Sequence, residues 1–227
     1  MTELELIRND PWLEPYRPFI ERRRKKTLEK QDHLSGEKGL ADFACGHLYF
    51  GIHRENGEWV IREWAPNATE IYLIGDFNDW KTTVDYRFSR KDQGNWEIRL
   101  PQEAMKHLDR YKLVVRWPGG EGERIPAWCR RVVQNPDTKV FDAQVWAPEK
   151  GYRWQHQSPG LTGFQPLIYE AHVGMATEEN KVGTYSEFRE KVLPRVVEGG
   201  YNTLQLMAIQ EHPYYGSFGY HVSSYFA

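Results

Sequence analysis

The chain has 227 residues, 40% of them hydrophobic and 27% charged, with a formal net charge of −2. That length suits one large domain or two ordinary ones, and so balanced a charge gives no reason to expect nucleic acid or an anionic membrane as partner. Cys45 and Cys129 are the only cysteines and form no C-x-x-C pair, so neither a disulfide framework nor a cysteine zinc site is expected.

The opening residues, MTELELIRND, have no basic n-region and no apolar h-region, and no apolar run reaches membrane-spanning length. A reducing, cytoplasmic setting is the expectation. Asp10-Pro11 then starts a helix, with a side-chain acceptor at the N-cap and proline at N1. Pro15 and Pro18 punctuate the next stretch, and a longer helix is predicted over 18–33. It carries the basic run ERRRKK at 21–26, which reads as a solvated face beside Glu29 and Asp32. One short basic run without interleaved stacking residues is a weak nucleic-acid signal. Residues 35–39 read as a loop.

From 43 to about 146 the chain is strand-rich, with candidates at 48–54, 59–64, 71–74, 96–100, 111–117 and 140–141. Several alternate apolar and polar residues, and Glu55-Asn56-Gly57, Gly75-Asp76 and Pro118-Gly119-Gly120 supply turns. Short alternating strands at this spacing predict an all-β, immunoglobulin-like sandwich. A Gly/Pro-rich linker at 158–166 leads to a β-prone run, LIYEAHV, at 167–173. Thr184 and Glu187 form a capping-box pattern, followed by Phe188, Val192, Val196 and Val197 at helical spacing. Pro194 is expected to kink that helix, Gly199 and Gly200 to stop it, and 203–209 to form a second strand. Strand, helix, strand makes one βαβ unit, expected to be parallel and right-handed. It is too small to bury a parallel sheet, so 160–227 is expected to be aggregation-prone unless it docks on the sandwich.

Nine Trp and thirteen Tyr supply flat apolar faces with a polar handle, which suit cores and also sites for sugars. The loop after the second strand holds Glu211, His212, Tyr214, Tyr215, Phe218, Tyr220 and His221, with Gly216 and Gly219 permitting tight turns. It follows the carboxyl end of a strand, where α/β sheets bind ligands. A stacking platform and a loop whose aromatics simply pack inward are both open readings. Glu170 and His172 share one strand face, as an acid–base pair or, more commonly for such strands, as structural hydrogen-bonding groups. No histidine spacing matches a metal motif, and neither a phosphate loop nor a G-x-S-x-G elbow is present, so no cofactor and no metal are expected. In the β-rich segment GDFNDW, 75–80, reads as a turn with Trp80 exposed. Lys112, Trp96 and Trp117 lie on neighbouring strands, and Trp96 fits an inward position better than Trp80 does.

Residues 8–227 resemble the amino-terminal third of the 1,4-α-glucan (glycogen or starch) branching enzymes, members of the amylase clan in glycoside hydrolase family 13. The resemblance rests on REWAP (62–66), GDFNDW (75–80), YEAHVGM (169–175), VLPRV (192–196) and YNTLQLMAIQEHPYYGSFGYHVSSYFA (201–227), in that order. It implies a helical segment at 1–42, a family-48-type carbohydrate-binding module at 43–150, a linker at 151–166, and the first βαβ unit of an incomplete (β/α)8 barrel at 167–227. The resemblance also implies glucan contacts at Trp80 and Lys112, at Trp64, Pro66, Asp92 and Gly94, at Glu37, and at Tyr220 with His221 beside it. Gln93 and Asn95 stand where the family commonly has Tyr and Lys. The implied partner is α-1,4-glucan, as glycogen, starch or maltooligosaccharide, with no nucleic acid, no membrane, and a monomeric state. The implied chemistry is retaining transglycosylation, which needs two carboxylates about 5–5.5 Å apart. In the family these come from later barrel strands, and neither Glu170 nor Glu211 matches them. A truncated chain that binds glucan without turnover is the resulting expectation; a stand-alone glucan-binding protein and another amylase-clan enzyme, such as a debranching enzyme, are the alternatives.

Overall fold

The computed structural model describes residues 5–36, 39–157, 160 and 163–227. The chain divides into two compact units, Met1–Phe50 and Gly51–Ala227. In the first, α1 spans Glu5–Asn9 and a 3-10 helix spans Pro11–Tyr16. Asp10 caps that 3-10 helix as its sequence predicts, its Oδ1 accepting from Trp12 N at 3.1 Å. The long helix α2 runs Arg17–Ser35, two residues past the predicted end, and stops at Gly36 with φ +54°. Residues 21–30 are exposed throughout, so the basic run is a solvated face. A four-residue helix, α3 (Leu40–Phe43), comes next.

The second unit begins with nine strands: β1 (Gly51–Glu55), β2 (Glu58–Trp64), β3 (Glu70–Gly75), β4 (Ser89–Arg90), β5 (Asn95–Pro101), β6 (Arg110–Trp117), β7 (Gly120–Arg124), β8 (Val132–Gln134) and β9 (Phe141–Gln144). One antiparallel sheet has the order β1-β2-β5-β4 and the other β3-β6-β9-β8, with β7 paired to β6. Alternation sends one side chain in two inward, and these meet in a single core: Trp59 and Ile61 of β2, Ile71 and Leu73 of β3, Trp96, Ile98 and Leu100 of β5, Tyr111, Leu113 and Val115 of β6. Five of the six predicted strands are present, and the sixth, predicted at 140–141, is found at Phe141–Gln144. The first begins at Gly51 and not at 48, because 46–48 form a 3-10 turn. Gly51 has φ +86°, and a Cβ there would lie 2.8 Å from Trp128 O.

Alternation also carries Glu63, two residues beyond Ile61, onto the core face, where it is 8% exposed and its Oε2 has no hydrogen-bond partner among the described residues. Burial raises the Glu63 carboxyl above its ordinary value, and hydrogen bonds from backbone N–H groups, including that of Trp64, only partly offset this. A carboxyl raised in the folded state gives stability that is full below pH 4.5 and is lost as pH rises through the raised value. Glu63→Gln is therefore expected to stabilise the chain by about 1–2 kcal/mol at neutral pH. That gain should shrink towards pH 4 in urea titrations; a gain independent of pH would mean that Glu63 stays ionised without cost.

The remaining chain forms a parallel pair, β10 (Ile168–His172) with β11 (Thr203–Met207). Between them α4 (Tyr185–Glu187) starts with the predicted capping box: Thr184 Oγ1 accepts from Glu187 N at 3.2 Å, and Glu187 Oε2 accepts from Thr184 N at 3.0 Å. Phe188–Val192 is a π-turn, after which α5 (Leu193–Glu198) restarts with Pro194 in its first turn. The bulge relieves the carbonyl that proline would otherwise strike. Strand β11 ends at Met207, short of the predicted 209, because Ala208 takes φ +56°. Ala171, Val173 and Phe188 form a small core of their own with Val192, Leu204 and Leu206. The end of the chain docks on the sandwich: Phe226 stacks on Trp128 at 4.5 Å, Ser224 Oγ lies 4.0 Å from Cys129 Sγ, and Ala227 packs against the sandwich core.

Candidate functional site

The turn after β3 is built around Gly75, whose backbone is extended and passes so near β6 that a Cβ would lie 2.4 Å from Arg110 O. Asn78 holds the turn, its side-chain oxygen accepting from Gly75 N at 2.9 Å and its amide donating to Leu73 O at 3.0 Å. Asp79 and Trp80 then both adopt left-handed φ, +52° and +58°. For a residue as large as Trp this costs about 1–2 kcal/mol, the kind of strain that persists at sites held for function.

Trp80 is half-buried, and its Nε1 donates to Asp76 Oδ1 at 3.1 Å. Asp76 also accepts from Arg110 N at 2.8 Å and from Arg110 Nη2 at 3.0 Å. Burial would raise the Asp76 carboxyl, but the hydrogen bonds from Arg110 outweigh it and hold the group below its ordinary value. Arg110 Cζ and Lys112 Nζ each lie 5.9 Å from the Trp80 ring centroid. Lys112 alternates with core-facing Tyr111 and Leu113, so it stands on the outer face of its sheet. It is nonetheless buried, its ammonium held by Asp142 at 3.1 Å and Glu123 at 3.3 Å. A groove flanks the indole, walled by Thr82, Thr83, Val114, Arg116 and Glu123. An aromatic face fixed among ionised and hydroxyl groups offers stacking together with hydrogen bonds to a polyhydroxylated ligand. The structure brings Trp80 and Lys112 together, as neighbouring candidates in the sequence, and adds Arg110 and Asp76, which the sequence did not single out although the period of two already puts Arg110 on the face of Lys112.

A second cluster forms where β2 meets β5. Register pairs Trp64 with Asn95, which brings the Asp92–Gly94 turn beside REWAP. Trp64 is 57% exposed and its Nε1 donates to Gln93 O at 3.1 Å, while Ala65 N donates to Gly94 O at 2.9 Å. The Trp64 contact is to the backbone of Gln93, so it does not depend on that side chain. Trp64, Pro66, Trp117, Pro118 and Arg124 wall a second groove, with Arg124 Cζ 5.5 Å over the Trp117 ring. The two grooves share no lining residue: one takes Val114 and Arg116 of β6, the other Val115 and Trp117 from the opposite face. Trp96 is 3% exposed and donates inward to Ala65 O at 2.9 Å, as its spacing suggests.

In the loop after β11 the two readings divide by residue. Tyr215 packs edge-on to His172 at 6.2 Å and to Phe218 at 6.4 Å. Tyr220 is 85% exposed and anchored through its backbone N to Ser217 O at 3.0 Å; His221, also exposed, donates its N to Ser217 Oγ at 3.4 Å. Neither lines either groove. Glu170 accepts from Gln205 and not from His172, whose two ring nitrogens are buried without a partner among the described residues. Glu37 lies outside the described residues. Among the described residues no group of three or more His, Cys, Asp and Glu is placed to hold a metal ion.

A family model for carbohydrate-binding module 48 (isoamylase N-terminal domain) matches residues 49–129, which span β1 to β7 and both grooves. A 1,4-alpha-glucan-branching enzyme of Dictyostelium discoideum is 42% identical over 98% of this chain, which covers 34% of that protein. The branching enzyme of Solanum tuberosum is 43% identical over 98% of the chain and 27% of its own length, and that of Equus caballus 38% identical over 98% and 33%. The chain thus spans about a third of the length of the curated relatives it matches. Among solved structures, the Group B Streptococcus pullulanase SAP has a TM-score of 0.59 at 19% identity, covering 81% of this chain and 26% of that one. The catalytic module of the glycogen-degrading pneumococcal virulence factor SpuA, in complex with an inhibitor, has a TM-score of 0.57 at 18% identity, covering 81% and 29%. At such identity the likeness is one of fold.

Proposed function

From its similarity, over nearly its whole length, to about a third of 1,4-alpha-glucan-branching enzymes, we propose that this chain is the glucan-binding, amino-terminal portion of such an enzyme. Residues 43–150 hold α-1,4-glucan, and 167–227 contribute the first βαβ unit of a (β/α)8 barrel; the parallel register of β10 and β11 supports the latter. The activity of the whole enzyme would be transfer of an α-1,4-linked segment to a glucan 6-hydroxyl, through a glycosyl-enzyme formed on one carboxylate and assisted by a second. The present residues bind, orient and stack glucan. The single observation that carries this reading is Trp80, an indole held at φ +58° beside Asp76, Arg110 and Lys112 at the mouth of an open groove. Tyr220 and His221, projecting from the loop after β11, would meet glucan on the barrel side.

Affinity electrophoresis tests the binding half. The 227-residue chain is expected to be retarded in gels containing glycogen and to run normally in gels without it. Equal mobility in both would refute the proposal. Incubation with amylose, followed by the iodine complex, tests the other half: the absorbance maximum is expected to stay put, and a shift towards that of branched glucan would place chemistry within these residues.

A further inference from the structure

A third cavity, of about 240 Å³, lies apart from both grooves and is walled by residues of β1, β2, β6 and the end of β9 and of the segments before β8 and after β9. Its aromatic walls are Trp59, Tyr111, Trp128 and Trp146. Trp59 is 2% exposed, and the Arg54 guanidinium lies over its ring at 4.4 Å. Trp146 is half exposed, with the His107 ring edge-on to it at 4.9 Å and the Arg131 guanidinium 4.9 Å from its centroid, contacts that fix its position. The polar wall groups are almost all donors. Arg54 and Arg130 make no ion pair or hydrogen bond among the described residues, whereas Arg62, Arg99, Arg110 and Arg116 each meet at least one carboxylate. His53 stands on the same wall, and among the described residues no Asp or Glu lines the cavity. Tyr111 is 2% exposed and closes the inner wall of the cavity.

Two guanidiniums left without a counter-charge on one cavity wall describe an anion site; guanidinium matches phosphate oxygens with paired N–H donors. The half-exposed indole of Trp146 beside it describes a flat, partly apolar body. The volume falls below the roughly 300–1,000 Å³ of cavities for drug-sized ligands, which limits the occupant to about one sugar ring and its substituent. A neutral glucan fits poorly, because its hydroxyls need acceptors as well as donors, and the one lining amide, Gln144, is already engaged by Arg131 at 2.6 Å and Leu108 O at 2.9 Å. We propose that this cavity binds a phosphorylated glucose unit, the phosphate between Arg54 and Arg130 and the ring against the exposed part of Trp146. The unit would be either a free sugar phosphate or a phosphate ester carried on a glucan.

Isothermal titration calorimetry of the intact chain tests this with glucose 6-phosphate, glucose, inorganic phosphate and adenosine monophosphate as probes. Glucose 6-phosphate is expected to bind at least about tenfold more tightly than either glucose or phosphate alone, since each supplies only half of the recognition, and its affinity should fall with added salt. Arg130→Gln, at an exposed position with no protein partner to lose, should weaken that binding about tenfold, whereas Trp80→Ala should leave it unchanged. Competition by a phosphorylated maltodextrin would assign the site to esters on glucan, and failure to compete would assign it to the free sugar phosphate; either supports the phosphate chemistry. Glucose binding as tightly as glucose 6-phosphate, phosphate alone matching it, or adenosine monophosphate exceeding it would each overturn the proposal. Because Trp80→Ala is the control, loss of glycogen retardation and loss of sugar-phosphate binding are separable results.

Discussion

Gly94→Ala is expected to lower stability by about 3 kcal/mol, the larger part from a steric conflict and the rest from backbone conformation. Gly94 sits at φ +81°, which costs a residue with a Cβ about 1 kcal/mol. Its new methyl would lie 2.7 Å from both Cα and Cβ of Pro66, and a proline backbone at the end of a sheet has little freedom to retreat. Separation of the two would stretch the 2.9 Å bond from Ala65 N to Gly94 O, the contact that holds the Asp92–Gly94 turn against REWAP. For a chain of this size, 3 kcal/mol corresponds to a fall of about 6–12 °C in the thermal midpoint. Gly57→Ala is the matched control. Gly57 has φ +83°, but nothing stands within 4 Å of the added methyl, so only the conformational term of about 1 kcal/mol should appear. Calorimetric scans of the two variants in parallel read the difference directly. Equal losses would mean that the Gly94–Pro66 approach is not a constraint, and the Trp64 groove would then lack a rigid floor.

Legibility in the sequence depends on which signals are local. The six strands with alternating apolar residues are visible because period two is itself the burial pattern, and Tyr111-Lys112-Leu113 shows it directly. Strand β7, GEGER, is invisible for the same reason: it has no apolar residue, and β6 supplies its backbone partners while Gly120 and Gly122 let the Trp117 ring lie against it. Strands β4 and β8, of two and three residues, are too short to show any period. The caps at Asp10 and Thr184 are legible because each needs only one side chain and its own backbone. The candidate site divides similarly. GDFNDW announces a turn with an aromatic, but that Asp76 fastens both the indole and Arg110, 34 residues away, depends on the β3–β6 register. The cavity of Arg54 and Arg130 has no signal at all, since its walls come from five stretches that only the closed sandwich brings together.

Replacing Trp80 should lower affinity while leaving stability nearly unchanged, which is what distinguishes a strained binding residue from a core residue. A buried tryptophan of the core, Trp96 for instance, loses about 3–5 kcal/mol of stability when truncated. Trp80 is half-buried, and its φ of +58° is a conformation that glycine adopts without cost. In Trp80→Gly the backbone relief of about 1 kcal/mol offsets the lost side-chain contacts, so stability is expected to stay within about 1 kcal/mol of the parent. Asp76 keeps Arg110 as donor at 2.8 and 3.0 Å, so the turn retains its anchor. Affinity for glycogen should nonetheless fall about thirtyfold, the loss of roughly 2 kcal/mol that removal of a central aromatic contact brings. Trp80→Phe, which keeps a stacking face at the strained position but loses the Nε1 donor to Asp76, should recover part of the affinity while lying below the glycine variant in stability. Depletion assays on glycogen, paired with urea titrations of the same preparations, give both quantities. An affinity that survives Trp80→Gly would sink this surface as the glucan site. A stability that falls in step with affinity would show that the indole is a structural plug, and the strain at its backbone would need another cause.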